Sequence, residues 1–225
     1  VEFDLFANNF YEKLGEAINT YAIDDKKKFM AQATSEAMTF LKIVTETYDV
    51  VASNPPYTDS ADMGEQLHTF LNDNYKTPMK FIGNLYVTFY KRNYEFLNKN
   101  GLHPLTFMYL PTYKDMRVHI LNNTSIEVFV DYGLSNLFGL TMVDPAFYVL
   151  RKNENKGKNL FISLDQYTRT PEEKYKKRYC LEALDSIVEN ISNKNVVCLD
   201  QSKFKKIEDW PFIYNVSDEL RNHFA

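Results

Sequence analysis

Apolar positions along the chain first recur at helical spacing. Phe6, Phe10, Leu14, Ala17 and Tyr21 lie three or four residues apart and predict a helix over residues 3–23. Asp24 and Asp25 offer caps for a second helix reaching about residue 46, whose apolar face would carry Phe29, Ala33, Ala37, Phe40, Leu41 and Val44. The period then changes. Val50, Val51 and Ala52 form a brief continuous run, the pattern of a strand covered on both faces of a parallel sheet. Residues 58–64 read as a polar loop, and Glu65–Asn74 as a helix with Leu67, Phe70 and Leu71 inward. A longer helix is expected over residues 82–99, with Leu85, Phe89, Leu97 and a Tyr86/Tyr90/Tyr94 ridge, stopping at Asn100-Gly101.

The second half alternates strands with helices. Leu105–Leu110 reads as a buried strand ended by Pro111, and Lys114–Asn122 as a helix with Met116, Val118, Ile120 and Leu121 as its apolar positions. Ile126–Tyr132 and Ala146–Leu150 read as strands joined by a long connection, Gly133–Pro145, and Leu160–Leu164 as a further edge strand. After Thr170-Pro171 the character shifts. A charged run, Glu172–Arg178, precedes a helix over residues 180–190 and a short strand-like run, Val196–Leu199. The aromatic patch Phe212-Ile213-Tyr214 follows Trp210-Pro211, and Ser217 caps a terminal helix, Asp218–Phe224.

Composition narrows the classes. A hydrophobic share of 44% over 225 residues can fill one large core or two small ones. A formal net charge of -4 argues against a surface that wraps nucleic acid all round, so such contact would be local. The two cysteines lack metal-ligand spacing, the four histidines form no H-x-x-x-H pair, and a reduced, cytoplasmic protein without a metal is expected. No apolar run approaches the roughly 18 residues of a membrane span. Only seven glycines occur, and neither G-x-G-x-x-G nor a P-loop is among their contexts.

Chemistry concentrates at Ser53-Asn54-Pro55-Pro56-Tyr57. Two consecutive prolines remove two backbone donors and fix two φ angles, so neither strand nor helix runs through them. The first of them holds Asn54 extended. If Val50–Ala52 is a strand, this turn sits at its carboxyl end, where open α/β sheets place ligands. It offers acceptors, the Asn54 side-chain oxygen and the proline carbonyls, beside the ring of Tyr57. A planar molecule bearing an amino group suits that set.

Asn-Pro-Pro-Tyr after a short apolar strand resembles motif IV of the DNA methyltransferases that act on exocyclic amino groups, adenine N6 above all. Asn84-Leu85-Tyr86 is similar to the Asp-Leu-Tyr triplet that opens the next helix in that family, with asparagine in the place of aspartate. Leu137-Phe138-Gly139-Leu140 and Val149-Leu150-Arg151-Lys152 resemble the family's last hairpin, with Asp144-Pro145 as a departure from it. Residues 200–217, from Asp200-Gln201-Ser202 through Trp210-Pro211-Phe212, look like the segment just past the catalytic domain in the adenine-specific methyltransferases of BREX phage-defence systems, the PglX type.

The resemblance implies an α/β fold. It would be a partial Rossmann-like, S-adenosylmethionine-dependent methyltransferase sheet, mixed and with a C-terminal antiparallel hairpin, plus a small helical extension. Residues 1–170 would be the C-terminal part of the catalytic domain and residues 171–225 the mostly helical extension. It implies Asn54, Pro55, Pro56 and Tyr57 as catalytic residues, Asn84 and Tyr86 as substrate-binding residues, and S-adenosylmethionine as the methyl donor, its loop expected upstream of Val1. DNA and other defence-system proteins would be the partners, and no membrane. A segment lacking the cofactor loop is expected to be inactive alone. The alternative is an inactive fragment or paralogue that binds DNA or protein.

Overall fold

The computed structural model describes residues 13, 16, 17, 25–97, 101–104, 108, 110–135, 145–153, 155 and 157–223, with side chains undescribed at 25–31 and 101–104. The chain forms two compact units, Val1–Thr47 and Tyr48–Ala225. In the first, Lys13, Glu16 and Ala17 are helical, and the remainder of the helix expected over 3–23 lies outside the described residues. Helix α1, Asp25–Thr45, has the expected extent but not the expected burial. Phe40 and Leu41 are 63% and 49% exposed, so helical spacing alone did not dictate an inward face.

The second unit is a mixed α/β fold. Helices α2 (Glu65–Tyr75) and α3 (Leu85–Phe96) precede strand β1 (Gly101–Pro104). Helix α4 (Lys114–Asn123) leads into β2 (Ser125–Asp131), β3 (Ala146–Arg151) and β4 (Lys158–Ser163). Helix α5 (Lys176–Val188), strand β5 (Val196–Asp200) and the short helix α6 (Asp218–Asn222) complete it. The sheet runs in the order β1-β3-β2-β4-β5. β2 and β3 form the expected antiparallel hairpin, β2 and β4 pair in parallel, and β5 closes antiparallel on β4.

Alternation along the strands sorts two cores. Phe129, Tyr148, Leu150 and Phe161 face one side with Val87 and Tyr90 of α3 and Met116 and Ile120 of α4. Val130, Ile162 and Leu164 face the other with Ala183 of α5. Ile126 shares a face with Phe129 although they lie three apart. The register slips between Ile126 and Val128, a bulge that moves the side-chain phase by one residue. Gly133 follows β2 at φ +66, where a Cβ would stand 2.6 Å from the Asp165 Cα. No other residue fits that corner without moving backbone.

Several expectations are corrected. The run 160–164 is no edge strand, because β4 lies between β2 and β5, and β5 is the edge. Val50–Ala52 joins no ladder; one parallel bridge, Tyr48 to Leu97, is the nearest pairing, and Val50 is 61% exposed. Among the described residues the run pairs with no strand on either edge, and Val50 and Ala52 stay exposed. α3 stops at Phe96, with Leu97 extended and its N–H on the Asn93 carbonyl, and Gly101 lies in a strand, so Gly101 is not the stop. α2 buries Leu71 and leaves Phe70 out, and on α3 Phe89 faces outward. Of the strand expected at 105–110, residues 105–107 and 109 lie outside the described residues, as do 136–144 of the long connection. α5 begins four residues earlier than expected, inside the charged run. Ser217 caps α6 as expected, its Oγ accepting from the Leu220 N–H at 3.2 Å.

The change of character after Thr170 marks no break in packing. β5 belongs to the sheet, and Phe204, Phe212 and Tyr214 are buried in the same core as Phe129. Arg117 fastens this segment. It is fully buried, donating from Nε and Nη2 to the Asp209 carbonyl at 3.1 and 3.0 Å and from Nη1 to the Leu110 carbonyl at 2.7 Å. Asp209 and Trp210 both take positive φ, 63° and 52°. Each such residue costs about 1–3 kcal/mol, and the bonds of the buried guanidinium hold the backbone there; the half-exposed Lys114–Asp209 ion pair at 2.6 Å adds little.

His119 is buried between α3 and α4. Its Nδ1 lies 2.7 Å from the Tyr90 hydroxyl, and the rings of Phe81, Tyr90 and Tyr94 stand edge-on around it. Burial first, then the charges of Lys91 and Lys152, push its pKa from 6.5 down to about 4. Between those values the unfolded chain binds a proton that the folded chain refuses, so stability falls as pH drops from 6.5 to 4 and is level above. The loss over that window is on the order of 3 kcal/mol. Urea unfolding at pH 7 and pH 4.5 should show it, and His119→Gln should flatten the dependence. An unchanged slope in that variant would remove His119 as the cause.

Candidate active site

The segment after α1 runs antiparallel along the whole of α3 and is fastened to it at both ends. At the start, the Tyr48 N–H donates to the Phe96 carbonyl at 2.6 Å. At the far end, the Leu85 N–H donates to the Thr58 carbonyl at 3.0 Å and the Ser60 N–H to the Gly83 carbonyl at 3.2 Å. Asp59 and Asn84 form an antiparallel bridge, and the Asn84 Nδ2 donates to the Asp59 carboxylate at 2.6 Å. Between these fastenings, Asn93 Nδ2 donates to Ser53 Oγ at 2.7 Å. The stretch left between Ser53 and Thr58 is the Asn-Pro-Pro-Tyr turn.

Within that stretch the chain alternates. Val51 and Ser53 are half-buried and Pro55 is buried, whereas Ala52, Asn54 and Pro56 are exposed. Asn54 therefore faces away from α3. Tyr57 is 43% exposed, and its ring centroid lies 6.1 Å from that of Tyr86, which in turn lies 5.2 Å from that of Tyr113. One edge of Tyr57 rests on the core and the rest is open. Burial raises its pKa above the ordinary tyrosine value, so it is an uncharged ring at neutral pH.

Asn84 and Tyr86 stand behind the turn. Asn84 is 5% exposed, and its Oδ1 caps α3 by accepting from the Tyr86 N–H at 3.3 Å while its Nδ2 is engaged by Asp59. Tyr86 is 4% exposed, its pKa raised by burial and then by the Tyr113 hydroxyl, and it supports Tyr57 from below. The structure thus brings Asn54, Pro55, Pro56 and Tyr57 together in one short exposed turn, with Asn84 and Tyr86 fixing its far end. The sequence singled out no role for Asn93, and Ser53 stood in the turn segment without one. An amide among the apolar and aromatic positions of α3 was the visible signal for Asn93.

A mixed sheet with an antiparallel hairpin, and a Pro-Pro turn fastened to α3, place the chain in the mixed α/β class. The chain belongs to the Eco57I restriction-modification methylase family, which it matches over residues 3–138. Its fold is similar to that of a chain from a type I restriction-modification system studied for complex assembly and conformational transition, with a TM-score of 0.53 and 12% identity over 79% of this chain and 39% of that one. It is also similar to the methyltransferase subunit of the type I system of Streptococcus thermophilus, with a TM-score of 0.50 and 14% identity over 76% of this chain and 38% of that one. The chain thus spans well under half the length of these two proteins. No curated protein matches it in sequence. Among the described residues, no helix is long and apolar enough to cross a membrane.

Proposed function

We propose that the protein takes part in DNA methylation, with the turn at residues 54–57 holding a flipped adenine by its N6 amino group. The observation that carries this reading is the pairing of an exposed Asn54 with a half-open Tyr57 on a turn fastened at both ends. The Asn54 Oδ1 and the Pro55 carbonyl accept the two N6 hydrogens. That draws the nitrogen out of the plane of the ring and exposes its lone pair, so these residues act by position and electrostatics. S-adenosylmethionine, when bound, supplies the electrophilic methyl group. Tyr57 stacks on the base and returns roughly 1–3 kcal/mol of the few kcal/mol that flipping costs. Asn84 and Tyr86 serve the substrate through the turn they support.

The setting proposed is a cytoplasmic phage-defence or restriction-modification system of the BREX PglX kind, with DNA and further subunits as partners. The alternative, a catalytically inactive module that binds DNA or protein, is separated from it by one measurement. The intact protein is incubated with methyl-labelled S-adenosylmethionine and DNA, and the nucleosides are resolved by mass. N6-methyladenine is the expected product. Label on cytosine alone would overturn the choice of base, and DNA binding without transfer would favour the alternative.

A further inference from the structure

Asn93 lies on α3, nine residues after the cap Asn84, and is 6% exposed. Its surroundings on that face are aromatic and aliphatic: Tyr86, Val87 and Tyr90 are buried in the same core. An amide costs free energy in such a place unless its hydrogen bonds are made. Its Nδ2 reaches across 40 residues of sequence to Ser53 Oγ at 2.7 Å. Ser53 immediately precedes Asn54.

We infer that Asn93 is a positioning residue for the proposed base-binding turn, acting through Ser53 to hold the Asn54 amide outward. The inference rests on the reading of residues 54–57 as the site for the amino group. Side chains of an extended segment alternate between faces, so fixing Ser53 toward α3 fixes Asn54 away from it. The fastenings at Thr58, Asp59 and Ser60 hold the downstream end of the turn, and the Asn93–Ser53 bond holds its upstream end, next to Asn54. Pro55 confines Asn54 to extended backbone, so the alternation carries the orientation fixed at Ser53 on to Asn54. Without the Asn93 bond the turn keeps its composition and loses its aim. A displacement of about 1 Å in such an arrangement can lower a rate by about 10²-fold.

The test compares Ser53→Ala, Ser53→Thr, Asn93→Leu and the Ser53→Ala/Asn93→Leu double variant in the intact protein, with Asn54→Ala in parallel. Ser53→Ala and Asn93→Leu should each lower kcat for adenine methylation by about tenfold to a hundredfold, with KM for DNA within about twofold. Ser53→Thr keeps the accepting oxygen and should retain most of the rate. The double variant should be no slower than the worse single, because both remove one bond. Ser53 lies on a half-buried surface segment, so its alanine variant keeps the question open to measurement if Asn93→Leu fails to fold. Unchanged kcat in Ser53→Ala beside a collapsed Asn54→Ala overturns this inference alone, and so do losses that multiply in the double variant. A wild-type rate in Asn54→Ala overturns the reading of the site, and this inference with it.

Discussion

Asn54→Ala is expected to lower kcat for methyl transfer by about 10²–10³-fold while leaving the fold intact. Asn54 is exposed, and the bonds that hold the turn are made by its neighbours Ser53, Thr58 and Asp59. Truncating it breaks none of those bonds, so thermal stability should shift by no more than about 0.5 kcal/mol. The rate is another matter. With the side-chain oxygen gone, only the Pro55 carbonyl remains to accept from the amine, and the nitrogen stays conjugated with its ring. Loss of one preorganised group aimed at a developing charge or lone pair has an effect of this size elsewhere. Asn54→Asp keeps an acceptor oxygen and should lose less. Methylation assays on the intact protein, with binding to DNA measured separately, check the ordering. A wild-type kcat in Asn54→Ala would remove the turn from the chemistry.

The turn was legible in the sequence because its constraints are covalent. Two prolines dictate their own φ and forbid continuation, whatever the rest of the chain does. The strands β2 and β3 were legible as short apolar runs of strand length, whereas their pairing as a hairpin came only with the family resemblance. What failed depended on partners far away. Val50–Ala52 carries the composition of a covered strand, yet a strand's burial belongs to its neighbours, and among the described residues the pairing next to it is the bridge from Tyr48 to Leu97. Phe40, Phe70 and Phe89 sit at helical spacing that could face inward, but spacing says nothing about whether a surface waits opposite. The fastening of the turn to α3 was invisible for the same reason. Asn93 and Ser53 are 40 residues apart, and no local pattern joins them.

Phe161→Ala tests the other place where sequence and structure diverge, the unity of the sheet with the chain beyond Thr170. Phe161 is fully buried on β4. Its ring stacks on Tyr214, with centroids 5.1 Å apart and planes 8° from parallel, and meets Phe204 edge-on at 5.4 Å. Its ring centroid also lies 5.9 Å from that of Phe129 on β2. One side chain therefore joins the sheet to two positions of the last fifty residues, and the Tyr214 hydroxyl adds a bond to Asp131 at 2.7 Å. Removing the ring should cost about 3–5 kcal/mol, the usual loss for a buried Phe-to-Ala change. Domains of this size are commonly stable by only about 5–15 kcal/mol, so the midpoint of unfolding in urea should move visibly. The pattern of the loss matters more than its size. Since Phe204, Phe212 and Tyr214 share the core of Phe129 and Tyr148, the sheet and the C-terminal segment should still melt in one transition, and limited proteolysis should open both together. Two transitions, with the segment past Thr170 released first and the sheet unaffected, would restore the boundary that the change in composition suggests.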